Sequence, residues 1–225
     1  SVSSETVVIK FGGEKTKLND GEDHHDSNGD GETDDGYANI ITNNLQIIAT
    51  DGGDIYESGD PMVVKPFSGT DTKIQLMGNG AYGGKAYIRT LLEANVELHD
   101  TSVAGGGLID LELHKGTTDE GGNTVGGLKL TNVTVKDDGT LNAEICNSGN
   151  VTVDKVTVEG DKDNDGTDGK LTVVTASGDM YMTDSKIGGT ADITSQADGS
   201  IIVEDVTVSG TLTSANDGNG AVDMD

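Results

Sequence analysis

The sequence predicts an all-β chain wound as a parallel β-helix (a β-solenoid) with about 22 residues per coil and loop insertions. Three observations predict it: a recurring motif, alternation of apolar and polar residues within the motif, and a composition rich in glycine and poor in aromatics. There are 34 Gly but only two Pro, two Phe, five Tyr and no Trp. The apolar residues are mostly Val, Ile and Leu, whose β-branched members suit strands. A core made from them consists of thin aliphatic layers.

The motif has two alternating apolar positions, a short polar step and a further apolar residue. Five copies align: Val96 to Val103, Leu128 to Val135, Val151 to Val158, Met180 to Ile187 and Ile201 to Val208, with weaker members at Leu45-Gln46-Ile47 and Ile74-Gln75-Leu76. First apolar positions at 45, 74, 96, 128, 151, 180 and 201 give spacings of 29, 22, 32, 23, 29 and 21. Each long spacing contains a polar, glycine-rich stretch: Asp51 to Asp60, Thr117 to Gly126, and Asp161 to Gly169. Treating these as bulges from one side of a stack restores the period, as stacked coils permit.

A second short apolar piece follows each motif, as in Leu108-Ile109-Asp110-Leu111 and Leu171-Thr172-Val173. Several short strands per coil, separated by Gly, Asp and Asn, fit this architecture. Only Lys85 to Asn95 could pass for a helix, and it reads equally well as a strand. An antiparallel sandwich also has many short strands, but it does not require one motif at near-constant spacing. The chain therefore reads as a single solenoid domain over 1–225: an N-terminal strand and acidic loop (1–40), stacked coils (41–215) and a polar tail (216–225).

The formal net charge is −26. That repels nucleic acid and anionic membrane surfaces, and it suits divalent cations or a solvated extracellular surface. No apolar run approaches the roughly 20 residues of a membrane span. A chain starting at Ser1 without Met is expected to have lost a signal peptide, which makes the expected location secreted or cell-surface. Cys146 is the only cysteine; it is expected to be a buried small hydrophobe in a strand.

In this pattern the coils resemble those of right-handed parallel β-helix proteins of microbial exteriors: pectate-lyase-like enzymes, adhesin passengers, and surface-layer or sheath proteins. The resemblance covers roughly residues 40 to 215 and rests on the repeat alone. Tandem glycine-aspartate nonapeptides, as in toxin β-rolls, do not occur.

Two loops carry oxygen ligands at calcium-loop spacing. Asp26-Ser27-Asn28-Gly29-Asp30-Gly31-Glu32-Thr33-Asp34-Asp35 resembles the front of an EF-hand or dockerin loop, with side chains two apart converging on one centre. Tyr37 stands where the final carboxylate belongs, so Asp34 or Asp35 is expected to complete the shell. Asp161, Asp163, Asp165 and Asp168 repeat the frame inside a loop insertion. His24 and His25 abut the first loop without any Cys, and adjacent histidines of this kind are ordinarily solvated. Asn132-Val133-Thr134 and Asn150-Val151-Thr152 have the form of N-glycosylation acceptors.

No catalytic set stands out. Lyases that share the resemblance use calcium-binding aspartates, a basic proton abstractor and aromatic clefts, whereas this chain has one arginine, Arg89, and no Trp. No pair among the 40 acidic residues is singled out as a glycosidase pair. The reading is a non-catalytic extracellular structural protein that binds Ca2+ and assembles with copies of itself into a layer, sheath or filament. The alternatives are a β-helical adhesin and a polysaccharide-acting β-helix enzyme, with surface carbohydrate as a further candidate partner.

Overall fold

A computed structural model describes residues 2–12, 17–18, 39–50, 52–58, 61–69, 71–91, 95–114, 117–118, 124–125, 127–216, 218 and 220–224. Among them there is no helix. Three parallel sheets of eleven, nine and five strands build a parallel β-solenoid, the five-stranded one spanning only the coils from Ser102 to Val208, and every pair within them is parallel. This excludes the antiparallel sandwich. The one antiparallel pair, Thr117–Thr118 with Thr124–Val125, lies in an insertion. Lys85–Leu91 is a strand of the eleven-stranded sheet, and its alternating Ala86 and Ile88 point into the core.

From Asn95 to Asn216 each coil passes through the three sheets in turn, and the recurring motif is the passage from the nine-stranded to the five-stranded sheet. Asn95–His99, Gly127–Thr131, Asn150–Asp154, Met180–Thr183 and Ile201–Glu204 stack in register. Val96, Leu128, Val151, Met180 and Ile201 thus form one buried column, and Leu98, Leu130, Val153, Met182 and Val203 form the next. The polar step is a corner. Asp100, Asn132, Lys155, Asp184 and Asp205 occupy it with φ between 44° and 55°, the left-handed region that Asn and Asp tolerate best. The following residue turns inward, and the pairs Ser102–Val103, Thr134–Val135, Thr157–Val158, Lys186–Ile187 and Thr207–Val208 build the five-stranded sheet.

The corner into the eleven-stranded sheet is set by close approach. A Cβ on Gly189 would overlap the carbonyl oxygens of Glu159 and Gly169, and one on Gly210 would overlap that of Gly189. Buried hydroxyls satisfy backbone groups at other corners: Thr175 Oγ1 donates to the Gly149 carbonyl at 3.0 Å, and Ser185 Oγ accepts from the Val156 N–H at 3.1 Å.

Three details depart from the sequence reading. Ile74 pairs with Leu98, and Thr72 holds the position equivalent to Val96. Thr72 is tolerated in the core because its hydroxyl reaches the Thr42 carbonyl. Within the stretch read as a polar tail, Val222–Met224 forms the ninth strand, with Val222 beside Ile201 and Met224 beside Val203. Cys146 lies in a strand but on its outer face, half-buried, because Ile145 takes the inward position.

Candidate metal centre

The insertion after Val158 folds as a tight acidic loop. Its neck is closed by the Asp161 N–H donating to Asp168 Oδ1 at 2.7 Å. Inside, Asp161 Oδ1 accepts from the Asp165 N–H (3.2 Å) and Asp161 Oδ2 from the Gly166 N–H (2.9 Å), while Asp165 Oδ1 accepts from the Thr167 N–H (2.8 Å). Asn164 and Gly166 supply the positive φ angles, 62° and 91°, that wind the chain this tightly. Aspartates two apart are thereby turned toward one side.

That side faces the preceding coil. The turn after Val135 is stacked on the turn after Val158, and it carries Asp137 and Asp138. Ligand oxygens of Asp137, Asp161 and Asp163 lie within 4.8 Å of one another, as do those of Asp138, Asp163 and Asp165. The Lys162 N–H donates to Asp137 Oδ2 at 2.7 Å and ties the two turns together. Among the described residues, Oδ1 of Asp137 and Oδ1 of Asp138 are closed off from solvent without a hydrogen-bond partner.

Asp161, Asp163 and Asp165 thus come together with two residues that the sequence reading did not single out. Asp168 sits at the neck instead of in either triad. A signal for the missed pair exists: Asp137-Asp138 falls one coil before the insertion, in the turn equivalent to the one from which the loop emerges. The first loop, with Asp26, Asn28, Asp30, Glu32, Asp34 and Asp35, lies outside the described residues, as do His24, His25 and Tyr37.

The donor set is all oxygen and all anionic, which suits a hard cation and offers nothing to a thiophilic one. Two ligands on opposite sides of a calcium ion stand about 5 Å apart, since each bond is about 2.3–2.6 Å. Without a cation the cluster is strained electrostatically. Burial, followed by the charges of Asp165, Asp137, Asp163 and Asp161, pushes the Asp138 carboxyl above its usual range.

Elsewhere, Arg89 binds Glu112 on the outer face of the eleven-stranded sheet with both Nε and Nη2 at 3.0 Å. The Cys146 thiol donates to the same carboxylate at 3.3 Å. Burial and then Glu112 push this thiol up to about 12, so it stays protonated and unreactive at neutral pH. The two sequon asparagines differ. Asn132 Nδ2 donates to Asp100 Oδ1 at 2.6 Å, whereas Asn150 accepts the Asp179 N–H through Oδ1 and, among the described residues, keeps Nδ2 unengaged.

These shifts predict the pH dependence of the metal-free protein. Asp110 is pushed up by burial and then by Glu112, and Asp138 is raised as well. Glu97 is held down by Lys73 against an opposing burial effect, Asp100 by the Asn132 amide, and Glu159 by Lys162. A raised carboxyl contributes stability when protonated and loses it as pH rises through its folded pKa; a lowered one contributes above the ordinary range and loses it as pH falls. In chelator, Asp110 and Asp138 should therefore add stability as pH falls into the carboxylate range from above, and Glu97, Asp100 and Glu159 should lose it as pH falls further through that range. Scanning calorimetry showing a steady decline from pH 8 downward would contradict this.

Fold and site together define a class: a parallel β-solenoid with an acidic insertion loop facing the turn of the preceding coil. Compared with protein-family models, with curated proteins and with solved structures, the chain matches none.

Proposed function

We propose that the protein is a non-catalytic, extracellular structural solenoid, braced by calcium and assembling with copies of itself. The observation that carries the reading is the carboxylate cluster shared between Asp137-Asp138 and the 161–165 loop. A cation there would join two coils and relieve repulsion in a chain of charge −26. In this reading the loop serves the scaffold, and the acidic loop at 26–35 is a second calcium candidate.

Val208, Val222 and Met224 continue core columns through Ile187, Ile201 and Val203, yet they are 45%, 40% and 60% exposed. Every strand in this sheet is parallel, so Val222–Met224 accepts a further strand in the same sense, and in the proposed assembly a second copy supplies it. Such a heterologous contact propagates as a filament unless the rotation closes it into a ring. Calcium would offset subunit repulsion, which is strongest at low ionic strength.

Negative-stain microscopy and light scattering test this. Ordered filaments or sheets are expected in calcium, with dispersal in chelator, and Val222→Asp should block growth. A calcium-loaded protein that stays monomeric at high concentration would refute assembly.

A further inference from the structure

The nine-stranded sheet carries a feature unrelated to the metal cluster. An open groove of about 480 Å³ runs across four of its strands, near their N-terminal ends. Its floor is formed by the buried column of Thr72, Val96 and Leu128. Its shape comes from one residue. Asp71, Asn95, Gly127 and Asn150 occupy successive rungs of one outward column, so Gly127 leaves a notch between two asparagines that stand about 10 Å apart.

Hydrogen-bonding capacity is left open around this notch. Asn95 spends Nδ2 on Asp71 Oδ1 at 2.8 Å, while its Oδ1 is directed toward Gly127. Asn150 spends Oδ1 on the Asp179 N–H and, among the described residues, keeps Nδ2 unengaged. In the parallel outward column, Lys73 and Glu97 pair at 3.0 Å. The next rungs, Lys129 and Thr152, have neither an ion pair nor a hydrogen bond on their side chains among the described residues. The groove therefore offers an acceptor, two donors and a hydroxyl that does both.

The charges in the lining cancel, with Asp71 and Glu97 against Lys73 and Lys129. The field of the whole chain repels anions, and the two ammonium groups disfavour a cation. One rung beyond Thr152 in the same column is Tyr181, a ring 39% exposed at the edge of the groove. Uncharged, alternating donor and acceptor demand beside an exposed ring is the chemistry of a sugar. Its hydroxyls donate and accept, and its C–H face packs on aromatics. The rung spacing of about 4.8 Å is also close to the length of one hexose unit in an extended glycan.

We propose that this groove binds a neutral oligosaccharide lying along the solenoid axis, with hydroxyls held by Asn95, Lys129, Asn150 and Thr152 and one sugar resting on Tyr181. The site stands apart from the calcium and assembly reading, so calcium is kept constant in the test. Protein made in a bacterial cytoplasm, hence without a glycan on Asn150, is titrated with cellohexaose, mannohexaose, chitohexaose and, as the anionic comparison, hexagalacturonate. Calorimetry and amide NMR are the readouts.

At least one neutral hexamer should bind, with shifts centred on the Gly127 amide and the Asn95 and Asn150 carboxamides, and glucose alone should not. The double variant Lys129→Ala/Thr152→Ala should weaken binding about tenfold or more, as expected for the loss of two hydrogen bonds, with an unchanged melting curve. Lys186→Ala, on the five-stranded sheet, should bind as the parent does. Failure of every neutral hexamer at millimolar concentration, binding of hexagalacturonate alone, or shifts and affinities indifferent to the groove variants would each overturn the proposal.

Discussion

Chelation should lower the melting temperature by about 5–16 °C. A ligand present at 100 to 1,000 times its dissociation constant stabilises the folded state by about 2.7–4.1 kcal/mol, and a domain of this length shifts by about 2–4 °C per kcal/mol. Magnesium should restore little of the loss, because it demands stricter octahedral geometry and sheds its water reluctantly. Asp163→Asn gives the sharper test, since Asp163 belongs to both triads. In chelator the variant should melt above the parent, because one of five crowded carboxylates has been neutralised. In calcium it should melt below the parent, because a ligand has gone. Any response that remains would come from the 26–35 loop and should vanish on adding Asp30→Asn. An unaltered calcium response in the double variant would refute both sites.

The second large effect is expected in the core. Leu130 is fully buried, stacked between Leu98 and Val153 in one column. Leu130→Ala should cost about 2–5 kcal/mol, the range for a leucine cavity that relaxes only in part, and Leu130→Met less than about 1.5 kcal/mol. Lys186→Ala, on an exposed outward position, should stay within about 0.5 kcal/mol. Because each coil contacts only its neighbours, Leu130→Ala should also speed amide exchange in Asn95–His99 and Asn150–Asp154 before it does so in Ile201–Glu204. Uniform acceleration along the chain in native-state exchange would show that the coils do not act as separable units.

Much of the solenoid was legible because its energetics are local and repeated. Val151-Thr152-Val153 followed by Lys155 and Val156-Thr157-Val158 declares two inward positions, a corner and a short strand. The same declaration recurs at Leu128, Met180 and Ile201. The site was only half legible. Asp161, Asp163 and Asp165 are close in sequence and advertise a winding loop, but Asp137 and Asp138 lie a coil away. Nothing in their own neighbourhood says what they will face.

Period-2 alternation, the polar step that recurs at Asp100, Asn132 and Asp184, and the −26 charge are properties of the chain itself. They are enough to determine an all-β stack that disfavours anionic polymers. The stacking register was decided only in three dimensions. It put Thr72 into the core where Ile74 was expected, turned Cys146 outward onto Glu112, drew Val222–Met224 into the sheet, and left a notch at Gly127 between two asparagines. The physical reason is that a parallel coil pairs residues 20 to 30 positions apart through backbone hydrogen bonds that are blind to side-chain identity. Which side chains become neighbours therefore depends on where each insertion begins and ends, and that is settled by the closing of whole coils.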